Sequence, residues 1–189
     1  MVKKDILRRY ELSGGNRFRR ILTCYRSPGL HAVVIFRFGH WLLDKPFPVK
    51  LLLKLPYVYL NHRMMAKWGI QIDVDTKIGE GFLIFHYGGI FVGSEAVIGK
   101  NVSISHNVTI GLAGEGRRRG APVIGDNVYI APGANVSGKI RVGNNARIGA
   151  NTVVNKDVPE NALVHVPHMQ VVVFPSLYSQ KTSVPDQGR

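Results

Sequence analysis

The sequence predicts a mainly β fold: a coil of short parallel strands, with a helical lobe in front of it and one loop projecting from it. Three observations carry this. An aliphatic residue falls at every sixth position from Ile124 to Val154 without a miss. The same beat runs backwards to Ile72 with two interruptions, and before Ile72 it gives way to helical spacing.

Residues 1–70 come first. "GLHAVVIFRFGHWLLD" (Gly29 to Asp44) sets apolar residues at helical spacing, and "VKLLLKLPYVYLNHRMMAKW" continues in that style. This part reads as a helical lobe with a frayed basic beginning. Over residues 71–157, Ile72, Ile78 and Ile84 share one phase, and Val92, Ile98, Ile104 and Ile110 share another. The step from Ile84 to Val92 is eight, so the phase slips by two in "HYGG", just after Phe85. From Ile110 to Ile124 the step is 14, and the glycine-rich polar stretch between them reads as a loop over about residues 112–123. Then Ile124, Ile130, Val136, Val142, Ile148 and Val154 follow regularly, with Gly125, Ala131, Gly143 and Gly149 each next to an anchor.

A period of six fits neither a helix nor simple strand alternation. It fits a coil in which one aliphatic residue per side points inward and stacks on its equivalent in the next turn. The residue after it lies at a corner with no room for bulk. This is the hexapeptide class of parallel β-helix. Residues 158–189 form a C-terminal extension, read as a turn off the last rung, an extended strand and a polar tail from Tyr178.

The totals set limits. With 189 residues and 45% hydrophobic content, the chain can build a core and is not globally disordered. One cysteine, Cys24, excludes an internal disulfide framework and fits a reducing cytoplasm. Net charge is +13, and Met1 to Arg26 holds eight basic against two acidic residues. Such a field attracts anions, whether phosphate-bearing cofactors, acidic glycans or lipid headgroups. The basic residues show no recognition-helix or base-stacking pattern, so nucleic acid is not an expected partner. No secretory signal is visible, and "FPVKLLLKLPYVYL" is interrupted by Lys50, Lys54 and Pro56, short of a membrane span. A cytoplasmic protein is expected, held by its basic beginning at the inner face of an anionic membrane.

With "FRFGHWLL" in the lobe and the pattern from "IQIDVDTKIGEGFLIFHYGG" to "SHNVTIGLAGEG", residues 24–170 resemble the serine acetyltransferase branch of the hexapeptide-repeat acyltransferases. The resemblance implies a left-handed β-helix, a homotrimer, and acyl transfer from acetyl-CoA to a hydroxyl. It implies that His86, in the slipped segment, is the general base for the acceptor hydroxyl. An imidazole with a pKa near 6.5 suits that step, worth about 10²–10⁴-fold in rate. The same resemblance matches Gly111, Ala131 and Ala150 to a groove for the pantetheine arm of CoA, with Lys156 near a phosphate. Arg117, Arg118 and Arg119 meet the nucleotide phosphates or an acidic glycan, or form a solvated loop tip. No metal is expected.

The departures point away from serine. The aspartate that orients the family's histidine is Gln71 here, with Asp73 two residues along as a substitute; His106 is a further candidate for acceptor contact or structure. The acidic residue before the histidine is Phe85, so Phe85 and Tyr87 flank the acceptor, and the Arg–His pair that grips a carboxylate is replaced by Gly120 and Ala121. The turn from His106 to Gly111 and the "VPENALV" ending are similar to polysaccharide O-acetyltransferases of the colanic acid and capsule type. The expected activity is therefore transfer of acetyl to a sugar hydroxyl of a surface or exported glycan, with serine acetylation as the alternative. His40, His62 and His165 are expected to serve packing.

Two other classes compete. A zinc enzyme of the γ-carbonic anhydrase kind needs three converging histidines, and the coil contains only His86 and His106. A non-catalytic, membrane-associated scaffold would use the basic beginning and "VKLLLKLPYVYL" without releasing CoA.

Overall fold

The computed structural model describes residues 1–166, so the tail, with His168, lies outside the described residues. Helices α1 (Val2–Glu11), α2 (Arg17–Tyr25), α3 (Pro28–Leu43) and α4 (Phe47–Trp68) come first. The Asn16 side chain caps α2, and Ser27 caps α3 ahead of Pro28 at its first turn. Helix α4 ends at Gly69, which takes the left-handed conformation a helix stop favours.

The coil winds through β1 (Ile70–Ile72), β2 (Lys77–Ile78) and β3 (Leu83–Ile84) in its first turn. The second holds β4 (Ile90–Val92), β5 (Val97–Ile98) and β6 (Ser103–Ile104), and the third β7 (Thr109–Gly111), β8 (Val123–Ile124) and β9 (Tyr129–Ile130). The fourth holds β10 (Asn135–Ser137), β11 (Arg141–Val142) and β12 (Arg147–Ile148), and the fifth β13 (Val153–Val154) and β14 (Leu163–Val164). Every third strand pairs in parallel. Three sheets result: A (β1-β4-β7-β10-β13), B (β2-β5-β8-β11) and C (β3-β6-β9-β12-β14).

The six-residue anchors stack as the period requires. Ile72, Val92, Ile110, Val136 and Val154 form one column; Ile78, Ile98, Ile124 and Val142 a second; and Ile84, Ile104, Ile130, Ile148 and Val164 a third. All but the last are buried, at about 1.5–3 kcal/mol for each fully buried side chain. Small residues after the anchors are needed where turns press together: a Cβ on Gly143 would lie 2.5 Å from the Glu160 nitrogen. The corners use asparagine in the left-handed region, which its short side chain tolerates. Asn101, Asn127, Asn145 and Asn161 form a side-chain ladder along one of them, each bond 3.0–3.3 Å.

The chain's beginning is not frayed. Asp5, fully buried, pairs with Arg37 of α3 (Nε to Oδ2, 2.9 Å) and accepts the Phe82 N–H at 2.9 Å. Arg37 also donates to the carbonyls of Ile78 and Gly79. Arg8 donates to the carbonyls of Gly81 and Val102 and to the Ser103 hydroxyl. Helix α1 is thus stapled across the first two turns. His40, also in α3, bonds the Val74 carbonyl at 2.8 Å and serves packing, whereas His62 and His165 are exposed.

Candidate functional site

The two interruptions in the six-residue beat fall at opposite edges of sheet A. The extra residues at His86–Gly89 bulge out where sheet C passes to sheet A, just before β4. The bulge needs its glycines: Gly88 and Gly89 have φ of 107° and 62°, and a Cβ on Gly89 would meet Asn107 Oδ1 at 2.2 Å. The long loop leaves where sheet A passes to sheet B, between β7 and β8. The strands are two or three residues long, so the edges are about 10 Å apart.

At the first edge His86 is exposed, and its ring stands edge-on to His106, one turn further along, with centroids 5.8 Å apart. Among the described residues no hydrogen bond holds the His86 ring. Phe85 packs edge-to-face on Tyr129 at 6.3 Å, which turns it into the rung, while Tyr87 stands out in solvent. Ala131 and Ala150 follow β9 and β12 on the same edge, Ala131 buried and Ala150 exposed.

The second edge carries the clefts. One of about 480 Å³ is lined by Asp73, Glu95, Gly111, Leu112, Asn135 and Ser137, among others. A neighbour of about 570 Å³, sharing Ala113 and Ser137 with it, runs under the loop to Arg117, Lys139 and Asn155. The loop closes on itself as Ala113 and Gly120 exchange backbone bonds of 3.0 and 3.1 Å. A side chain at 120 would press on position 139, its Cβ 2.7 Å from the Cβ and 3.2 Å from the Cα of Lys139, so the close approach of the loop there requires glycine.

The candidate residues therefore divide. His86, His106, Phe85, Tyr87, Ala131 and Ala150 share one edge; Gly111, Asp73 and Arg117 share the other. Gln71 lies between them in sheet A, paired with Phe91, and does not bond His86. Asp73 is not beside His86 either: it follows β1 at the far edge, where its Oδ1 accepts the Asp75 N–H at 3.2 Å in a turn. Arg119 and Lys156 are exposed, and the Arg118 side chain lies outside the described residues. Asn135, Ser137 and Lys139 were not legible in the sequence, though all three face the clefts. The Asn135 Oδ1 is buried with no partner among the described residues.

Comparison with known proteins agrees with this coil. Residues 121–156 match the family model of the bacterial transferase hexapeptide (six repeats). A serine acetyltransferase of Helicobacter pylori is 36% identical over 134 residues, covering 70% of this chain and 74% of that one. One from Synechococcus elongatus is 35% identical over 144 residues, covering 76% of this chain; the chain spans 56% of that protein's length. Among solved structures, the Neisseria gonorrhoeae serine acetyltransferase in complex with serine superposes with TM-score 0.70 at 36% identity, covering 88% of this chain and 66% of that one. A serine acetyltransferase complex with CoA gives TM-score 0.68 at 31% identity, covering 86% and 64%. The architecture is their left-handed β-helix of hexapeptide repeats. These relatives overturn the expected sugar acceptor: they are named serine acetyltransferases. Substitutions at Gln71, Phe85, Gly120 and Ala121 are local, whereas the likeness runs through 134–144 residues.

Proposed function

We propose that this chain, which belongs to the hexapeptide-repeat transferase family, is an O-acetyltransferase that moves the acetyl group of acetyl-CoA to the hydroxyl of L-serine. The observation that carries the reading is His86, exposed on a glycine-built bulge and free to meet a substrate. Its imidazole takes the serine hydroxyl proton as the oxygen attacks the thioester carbonyl. The tetrahedral adduct then collapses, the C–S bond breaks, and the imidazolium returns the proton to the leaving thiolate. His106, edge-on at 5.8 Å, limits where the His86 ring can turn.

The clefts fit the two substrates. CoA is a polyanion with an amide-bearing arm. Arg117 and Lys139 supply cations for its phosphates. Asp73 and Glu95, at the other end, suit the ammonium group of an amino acid. Gly111, flush with the cleft, leaves room for the arm. In this reading the reaction takes place in the cytoplasm, where acetyl-CoA and serine are both present.

The donor clefts and His86 occupy opposite edges of one chain, so the site is completed between subunits of a homotrimer. The outward residues of sheet A support this. Gln71, Phe91, Thr109, Asn135 and Val153 carry no charge, whereas sheet B exposes Lys77 and Arg141. An uncharged strip suits an interface core. The test is a thiol-release assay with acetyl-CoA and a panel of L-serine, other hydroxy amino acids and sugars. L-Serine is expected to release CoA well above the acceptor-free rate; release with sugars alone would refute the acceptor assignment.

A further inference from the structure

The membrane contact expected from the chain's basic beginning acquires a definite surface in α4. We propose that the outer face of α4 seats the protein on an anionic lipid bilayer. Helix α4 meets the rest of the protein through Val49, Leu53, Tyr57, Asn61, Met64 and Trp68, a stripe at the i, i+4 spacing of one helix face. The opposite face is also apolar. Phe47, Leu51, Leu55 and Tyr59 follow one another at i+4, with Leu52 and Val58 beside them. Phe47, Leu51 and Leu55 are 76%, 64% and 77% exposed. A lone exposed leucine is ordinary, but an unbroken apolar ridge about 18 Å long is a contact surface waiting for a partner.

Charge selects the partner. Lys54 borders the ridge on one side, with Lys50 behind it at the groove against α3, Arg63 and Lys67 lie on the other, and α4 has no acidic residue. The asymmetry extends through the lobe: residues 1–70 contain 14 basic and three acidic residues, the remainder 11 and nine. A second copy laid face to face on the same ridge would bring two identical basic borders together with nothing to neutralise them, and the surface proposed for the trimer contact is the uncharged strip of sheet A, not α4. A bilayer bearing negative headgroups satisfies both features. The ridge enters the acyl boundary while the lysine and arginine stems reach up to the phosphates. No helix among the described residues is long and apolar enough to cross a membrane, so α4 lies in the interface. None of this depends on the acetyl-transfer reading.

The test is flotation of the full chain with phosphatidylcholine vesicles and with vesicles part phosphatidylglycerol. On the anionic vesicles about tenfold more protein is expected to float, and salt should release it. The Leu51→Glu, Leu55→Glu double variant should stay in solution with an unchanged circular dichroism spectrum and oligomeric state. Leu55→Trp, which preserves the ridge, should gain a blue-shifted emission over the parent on anionic vesicles only. Equal flotation on both lipids, or none, would overturn the proposal. So would a double variant that floats like the parent, which would assign binding to the basic residues of α1 and α2. A double variant that falls apart into smaller species without lipid would show that a second copy covers the ridge.

Discussion

Replacing Asp5 by asparagine should destabilise the protein far more than a change near a chain terminus usually does. Asp5 is fully buried and the Arg37 side chain is only 4% exposed. Their contact at 2.9 Å is backed by a second, Nη2 to Oδ1 at 3.3 Å, and the guanidinium also donates to the carbonyls of Ile78 and Gly79. Removing the carboxylate charge leaves the guanidinium buried beside neutral groups, an arrangement that costs about 3–5 kcal/mol. An asparagine oxygen that keeps the Phe82 N–H turns its NH2 group toward the Arg37 Nε–H, so that buried donor loses its acceptor as part of the same cost. For a domain of this size about 4 kcal/mol corresponds to a fall of roughly 8–16 °C in Tm. Thermal and urea unfolding followed by circular dichroism, at one fixed protein concentration, measures it. The Asp5→Leu, Arg37→Met double variant, which removes both charges, should be more stable than Asp5→Asn alone. A loss under about 1 kcal/mol for Asp5→Asn would refute the staple and restore the frayed beginning.

Two further outcomes follow from the site. Gly89→Ala forces a side chain into the left-handed region and against Asn107, and should cost about 1–3 kcal/mol while lowering kcat by displacing His86; unfolding curves and steady-state kinetics read both. Arg117→Ala and Lys139→Ala should each raise KM for acetyl-CoA about tenfold with a smaller effect on kcat, as expected for groups that hold phosphates in ground and transition states alike. If KM for the acceptor rises and that for acetyl-CoA does not, the cleft under the loop belongs to the acceptor.

The coil was legible because its physics repeats. Each inward residue from Ile72 to Val154 meets the same neighbour type at the same corner, so six-residue spacing alone reports the stacking. Both departures from the beat were also legible, the bulge at His86 and the loop after Gly111, and the proposed site is built on them. The order of α1 was not legible. A lone aspartate among lysines and arginines looks like solvated surface until α3 brings Arg37, 32 residues away, against it. Lys139, Asn135 and Ser137 were missed because the clefts take residues from several turns of the coil and from the loop, and no local pattern unites them. Asp73 illustrates the opposite error. Its spacing of two from Gln71 suggests a replacement, but the strand ends between them and Asp73 belongs to the other edge of the sheet. The acceptor was misread for a related reason: Phe85 and Gly120 look like lost carboxylate-binding groups, yet Phe85 packs on Tyr129 and Gly120 makes room for Lys139.

Acetyl transfer by His86 is tested most directly by CoA release from acetyl-CoA with L-serine, comparing the parent chain with His86→Ala. The alanine variant is expected to turn over at least about 10²-fold more slowly while binding CoA with nearly unchanged affinity, because the side chain removed acts on the acceptor's proton and not on the donor. Turnover within a few-fold of the parent would contradict the assignment and move the base elsewhere.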